Sequence, residues 1–251
     1  MLELNLAFFA AALPATLFAG ISKGGFGSGA AFVSATILAL ILDPKTALGV
    51  MLPLLMLIDL ATLKPYWNRW NWPDARLLLF GGVPGVICGV LLFRVAPDDA
   101  IRLIIGAISI GFVVWHAGQR RGWFRPNGPR VSSTAGVLAG VAVGFTSFVS
   151  HAGGPPVAMY LLARKFDKST YQATTVLVFW LVNIVKFVPY AALGMFTLET
   201  LESNLLLAPA ALIGAWVGVK LHRIVSEVAF FALTYALLLI TGIKLVFDAV
   251  T

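Results

Sequence analysis

An all-α polytopic membrane fold is predicted by three features of this 251-residue chain. Hydrophobic residues make up 59% of it, charged residues only 12%, and the mean hydropathy is +0.92. A soluble domain carries about a quarter charged residues, so this composition cannot furnish a water-facing surface. The third feature is spacing: apolar runs of near-spanning length alternate with short polar loops. A bilayer core about 30 Å thick takes roughly 20 apolar residues per helix.

Eight runs meet that requirement, at residues 4–21, 47–63, 77–93, 103–117, 131–149, 176–193, 205–219 and 228–247. Two shorter ones, 30–42 and 157–162, fall below it and read as short, tilted or re-entrant segments. The first run is expected to stay as a helix of the mature protein, because Glu3 stands where a secretory signal would carry Lys or Arg. Cys88, the sole cysteine, lies among apolar residues and reads as a small buried packing residue. The net charge of +7 does not point to nucleic acid, since the basic residues are divided among loops between apolar runs.

Those loops report orientation instead. Arg120, Arg121, Arg125 and Arg130 share one loop with no acid, the mark of a cytoplasmic segment. Counting both short segments as crossings places Lys64, Arg69 and Arg76, then Arg164, Lys165 and Lys168, then Lys220 and Arg223 on the same side. The other side receives both termini, the acids Asp43, Asp98, Asp99, Glu199, Glu202 and Asp248, and few basic residues.

The chain also matches itself. SKGGFG at 22–27 parallels HAGGPP at 151–156; Asp43 and Thr46 match Asp167 and Thr170; Pro65-Tyr66 matches Pro189-Tyr190; Gly85, Gly89 and Arg94 match Gly214, Gly218 and Arg223. Residues 1–117 and 131–251 thus read as two repeats of a membrane domain, joined by a basic cytoplasmic linker at 118–130. Five segments per repeat, an odd number, would make them inverted in topology, as in many secondary transporters.

In each repeat an apolar run meets a glycine-rich stretch before a short segment. Helix broken at membrane depth is tolerated where it is buried in protein or lines a cavity, and a helix restarting there offers N–H groups to an anion. The candidate substrate-binding residues are therefore Lys23, Gly24, Gly25, Gly27 and Ser28 in the first stretch, and Ser150, His151, Gly153 and Gly154 in the second. Glycines also serve close helix packing. Pro155 and Pro156 suit a first helical turn.

Lys186 lies deep in FWLVNIVKFVPYAALG and Asp59 interrupts LPLLMLIDLATL. A charge at the membrane centre costs about 2.5–3.5 kcal/mol on insertion scales, so such residues face the protein interior or an aqueous path. In the repeat register Asp59 aligns with Asn183, and Thr62 with Lys186. Asn183 and Lys186 join the candidate binding set, and if the two helices face each other at the pseudo-symmetry axis, Asp59 and Lys186 are expected to neutralise one another or to alternate partners during transport. Asp59 and His151 are the candidates for proton coupling. No HExxH, CxxC, clustered carboxylates or nucleotide-binding motif occurs, so neither an enzyme nor a metal or other cofactor is expected.

The stretches GISKGGFGSG, DPKTALGVMLPLLMLIDLATL, GFTSFVSHAGGPPVAMYLL and QATTVLVFWLVNIVKFVPY together resemble the sulfite exporter TauE/SafE family of membrane permeases over nearly the whole chain. The resemblance implies two related halves with about eight or more spans, carrying sulfur-containing anions across the cytoplasmic membrane of a bacterium. It carries the family's glycine-rich motifs onto Gly24, Gly25, Gly27 and Gly29 and onto Gly153, Gly154, Pro155 and Pro156. Lys23 departs from the small residue often found before the first glycines.

The expected function is a gradient-driven secondary transporter of a small anion such as sulfite or an organosulfonate, with the anion and the lipid bilayer as partners. A non-transporting membrane scaffold and a cation or metal permease using Asp59 and His151 are the alternatives. In a Cys88→Ala background, single cysteines near either terminus or at Glu202 should react with an impermeant maleimide added outside cells. Outside labelling of a cysteine at Arg125 would reverse the orientation.

Overall fold

The computed structural model describes residues 4–26, 30–122, 132–221 and 227–251, which form helices, turns and no strands. Gly27, Ser28, Gly29, Arg125, Arg130 and Arg223 lie outside the described residues, and with them most of the 118–130 linker. Ten α-helices follow in order: α1 Leu6–Ile21, α2 Val33–Leu38, α3 Pro44–Leu63, α4 Trp72–Val95, α5 Asp98–Arg120, α6 Ser133–Ser150, α7 Gly154–Ala163, α8 Lys168–Ala192, α9 Leu198–Leu221 and α10 Glu227–Val250. All but α2 and α7 are long and apolar enough to cross a membrane, so the chain is an all-α polytopic membrane protein with eight candidate spans.

Capping explains several starts. Asp43 Oδ1 accepts from Thr46 N at 2.9 Å, ahead of Pro44 in the first turn of α3. Asp167 Oδ1 accepts from Ser169 N and Thr170 N at 2.9 and 3.1 Å at the start of α8. The Thr170 hydroxyl and these N–H groups hold the Asp167 carboxyl below the usual carboxylate range. The sequence match of Asp43 and Thr46 with Asp167 and Thr170 is therefore a match of helix caps.

Contacts between ends fix the sides. Lys45 at the start of α3 reaches Asp98 at the start of α5 at 3.7 Å. At the opposite side, Arg69 ahead of α4 donates to Ser169 at the start of α8 at 3.2 Å, and Asp74 in the first turn of α4 accepts from Tyr160 and Arg164 of α7 at 2.5 and 3.2 Å. Helix α7 is about 15 Å long and α2 about 9 Å, so neither spans alone. Yet α7 brings the chain back to the side where α6 began, and α2 runs back along α1, with the Ser34 hydroxyl on Ala15 O at 2.5 Å. Helix α10 lies antiparallel to α5, with His116 beside Phe231 and Gly106 beside Gly242.

Among the described residues three helix couples are drawn together by glycine: α4 with α6, α1 with α9, and α5 with α10, where a Cβ on Gly106 would sit 2.7 Å from Gly242 O. A Cβ on Gly81 or Gly85 of α4 would sit 1.9 or 2.2 Å from Val137 O or Val141 O of α6, and one on Gly144 of α6 would sit 2.0 Å from Gly82 O. Helix α9 approaches α1 in the same way, since a Cβ on Gly214 or Gly218 would meet Leu17 O or Ile21 O at 2.4 Å. With no hydrophobic effect to drive helices together in lipid, close backbone packing through small residues does so. The repeat match of Gly85 and Gly89 with Gly214 and Gly218 is thus a match of packing faces.

Cys88 is corrected by the fold. It is exposed, because Gly85 and Gly89 take the tight contact with α6 and leave position 88 at the edge of that face.

Gly144→Leu should lower the detergent melting temperature strongly or prevent folding, since overpacking costs about 1–3 kcal/mol and more where backbone is struck. Gly111→Leu, where an added Cβ meets nothing within 4 Å, should leave the melting temperature nearly unchanged. Equal melting temperatures for the two variants would refute the packing role.

Candidate functional site

Four segments converge on a buried polar cluster. A π-helical turn, Ser22–Phe26, extends α1 and carries Lys23; α3 carries Asp59; the end of α6 carries Ser147 and His151; α8 carries Asn183 and Lys186. Lys23, Asp59, Asn183 and Lys186 are all at most 2% exposed, and His151 is 6% exposed. Helices leave no other place for such groups: facing lipid, each would lack partners.

The bonding divides the cluster in two. Lys23 Nζ pairs with Asp59 Oδ1 at 2.5 Å, and Asn183 Nδ2 donates to Asp59 Oδ2 at 2.7 Å. Gln172 of α8 donates to Lys23 O at 3.2 Å, tying the π-helical turn to α8. Lys186 Nζ, in contrast, lies 2.9 Å from Ser147 O and 2.9 Å from His151 Nδ1, and His151 Nε2 lies 3.2 Å from Leu48 O of α3. A carbonyl oxygen can only accept and an ammonium can only donate, so His151 is the neutral imidazole with its proton on Nε2. Its ring is placed by a left-handed backbone at the end of α6, φ 56° and ψ 12°, a conformation in which His is enriched.

The expected Asp59–Lys186 pairing is corrected. Asp59 takes Lys23 instead, because the residue of α8 that sits opposite it is Asn183, while Lys186 lies one turn further on, beside the end of α6. The first glycine stretch also differs from a broken loop. Through Phe26 it remains helical, and Gly24 and Gly25 admit the α9 backbone, since a Cβ there would lie 2.4 Å from Ala215 O or 2.3 Å from Gly218 O. In the second stretch the chain does break. His151 N and Ala152 N close the end of α6 on Ser147 O and Thr146 O, and Pro155 and Pro156 have no N–H. The donors left at this break are those of Gly153 and Gly154, where α7 begins. Ser150 donates to Thr146 O at 3.0 Å within α6.

A cavity of about 10 Å³, lined by Lys23, Ala31, Leu55, Ser147, His151, Phe179 and Asn183, adjoins both halves of the cluster. It has room for about one water, so any larger solute would need the cavity to widen. Ser147 and Gln172 were not singled out from sequence. Ser147 had a signal in hindsight, one turn before His151 on the same helix face; Gln172 had none. A second polar group, Asp74 with Tyr160 and Arg164, was also missed, because Asp74 reads as an ordinary first-turn acid.

Among the described residues, eight candidate spans surround a buried polar cluster that carries two lysines, which defines a multi-pass membrane protein. A family model, sulfite exporter TauE/SafE, matches residues 12–245, and the chain belongs to that family of membrane permeases for sulfite and related sulfur anions. No curated protein and no solved structure gives a significant match.

Removing one partner of a buried ion pair costs about 3–5 kcal/mol, because a charge is left uncompensated. Lys23→Met should accordingly lower the detergent melting temperature sharply, and the double variant Lys23→Met, Asp59→Asn should recover most of the loss. No recovery in the double variant would argue against the Lys23–Asp59 pair as the dominant coupling.

Proposed function

We propose that this protein is a gradient-driven secondary transporter that moves a small sulfur-containing anion, such as sulfite or an organosulfonate, across the inner membrane of a bacterium. The observation that carries this reading is Lys186. It is fully buried, its described partners are neutral, and both of them, Ser147 and His151, line the cavity. A buried ammonium without a counter-charge is unfavourable in a low-dielectric interior, and an anion entering the cavity would supply the missing charge. The N–H groups of Gly153 and Gly154 at the start of α7 would add donors.

Lys23 holds Asp59 and so links α1 to α3 and α8. A proton delivered to Asp59 would weaken that link, and one delivered to Nδ1 of His151 would break its bond to Lys186, so both residues remain the candidates for coupling transport to a proton gradient. Two lysines against one carboxylate disfavour the cation or metal reading, and a scaffold that only packs helices gives no reason for Lys186 to lack an acid.

We further propose that the arginine-rich loop is cytoplasmic and that residues 1–117 and 131–251 form inverted repeats. The contact of Asp59 with Asn183, its own repeat equivalent, supports this, as residues near a two-fold axis meet their counterparts.

In proteoliposomes, wild-type protein should take up radiolabelled sulfite down its gradient. Lys186→Met should abolish uptake, and Lys186→Arg should keep the charge but disturb the geometry and retain only part of it. Full uptake in Lys186→Met, or flux of divalent metal in place of sulfite, would overturn the anion reading.

A further inference from the structure

Resting on the anion-permease reading, we propose that the site accepts its cargo as a monoanion, hydrogensulfite or a sulfonate, and discriminates against dianions of the same shape. The selectivity follows from a charge count among buried groups. Among the described residues the buried charged side chains are Lys23, Asp59, Asp74 and Lys186. Asp74 is answered by Arg164 and Tyr160 at the far end of α4, which leaves two lysines against one carboxylate around the cavity, a single positive charge when both lysines are protonated.

Among the described residues, nothing else facing the cluster changes that count. From α6 come Ser147, Ser150 and the neutral His151; from α3, Leu48 O beside Asp59; from α8, Asn183, Gln172 and Tyr190, whose hydroxyl donates to Phe148 O. The aromatic ring at the cavity wall, Phe179, lies 5.7 Å from Lys23 Nζ and is uncharged. The side chains that hold the excess are themselves buried, so little water reaches them.

A monoanion brings the buried set to neutrality, whereas a dianion leaves one negative charge with little water and no counter-ion. Charges about 4 Å apart interact by several kcal/mol even at an effective dielectric of about 20, so the difference is large enough to set selectivity. Shape cannot substitute for it: methanesulfonate and sulfate share tetrahedral geometry and similar size, and differ in a methyl group in place of one charged oxygen.

The test is isothermal titration of the full-length protein in detergent with methanesulfonate, sulfate and sulfite. Wild-type protein should bind methanesulfonate at least about tenfold more tightly than sulfate. Sulfite affinity should fall as pH rises through the conversion of hydrogensulfite to sulfite, while methanesulfonate affinity stays constant over the same range. Asp59→Asn removes the one carboxylate, so the ratio of sulfate to methanesulfonate affinity should rise at least about tenfold. The double variant Lys23→Met, Asp59→Asn restores the single positive charge and should return that ratio towards the wild-type value.

Sulfate binding as tightly as methanesulfonate to the wild-type protein would overturn the monoanion inference and leave the anion reading standing. Binding of none of the three would overturn both. The wild-type comparison decides the matter even if the Asp59→Asn variant does not fold.

Discussion

Backbone-to-backbone contact at glycine is the constraint on which the rest of this structure depends. Where α4 lies on α6 and α9 lies on α1, carbonyl oxygens occupy space that any side chain would fill. These contacts set the position of the end of α1, and with it Lys23, and the position of the end of α6, and with it His151. The polar cluster exists because two helix ends are held in register with the middles of α3 and α8. A shift of one helical residue in either couple would rotate those side chains by about 100° and part the Lys23–Asp59 and Lys186–His151 contacts.

Within the cluster the two lysines have unlike surroundings, and that difference gives the site its character. Lys23 is matched by a carboxylate that is itself steadied by Asn183. Lys186 is held by a carbonyl and an imidazole, neither of which carries charge. Such polar networks are stable when every member has a partner. Here each lysine has polar partners, and those of Lys186 include no carboxylate.

The spans were legible because lipid demands long apolar runs, and all eight appear as helices. The self-matches were legible too, though their meaning was not: Asp43 with Asp167 marks caps, and Gly85 with Gly214 marks packing faces. The partner of Asp59 could not be read. In the linear register Lys186 is the lone cation on the helix equivalent to that of Asp59, whereas Lys23 belongs to a stretch that reads as loop. Only the π-helical extension of α1, held by the glycine approach of α9, carries its long side chain across to α3. Cys88 was misjudged for a related reason. An apolar neighbourhood in sequence does not tell the lipid-facing side of a membrane helix from its packed side, because both are apolar.

The tight couples also say which parts can move as solid pieces. Each joins a helix from the N-terminal half of the chain to one from the C-terminal half, α1 with α9, α4 with α6 and α5 with α10. Interlocked carbonyls and glycine Cα atoms resist sliding far more than interdigitated side chains do, since no rotamer change can relieve a backbone collision. The mechanical units of the protein are therefore not its sequence halves. Any alternation of access would carry α1 together with α9, α4 together with α6, and α5 together with α10, as rigid blocks. The shear would fall along seams that no glycine contact locks, which excludes the start of α3, where a Cβ on Gly49 would lie 2.2 Å from Met195 O.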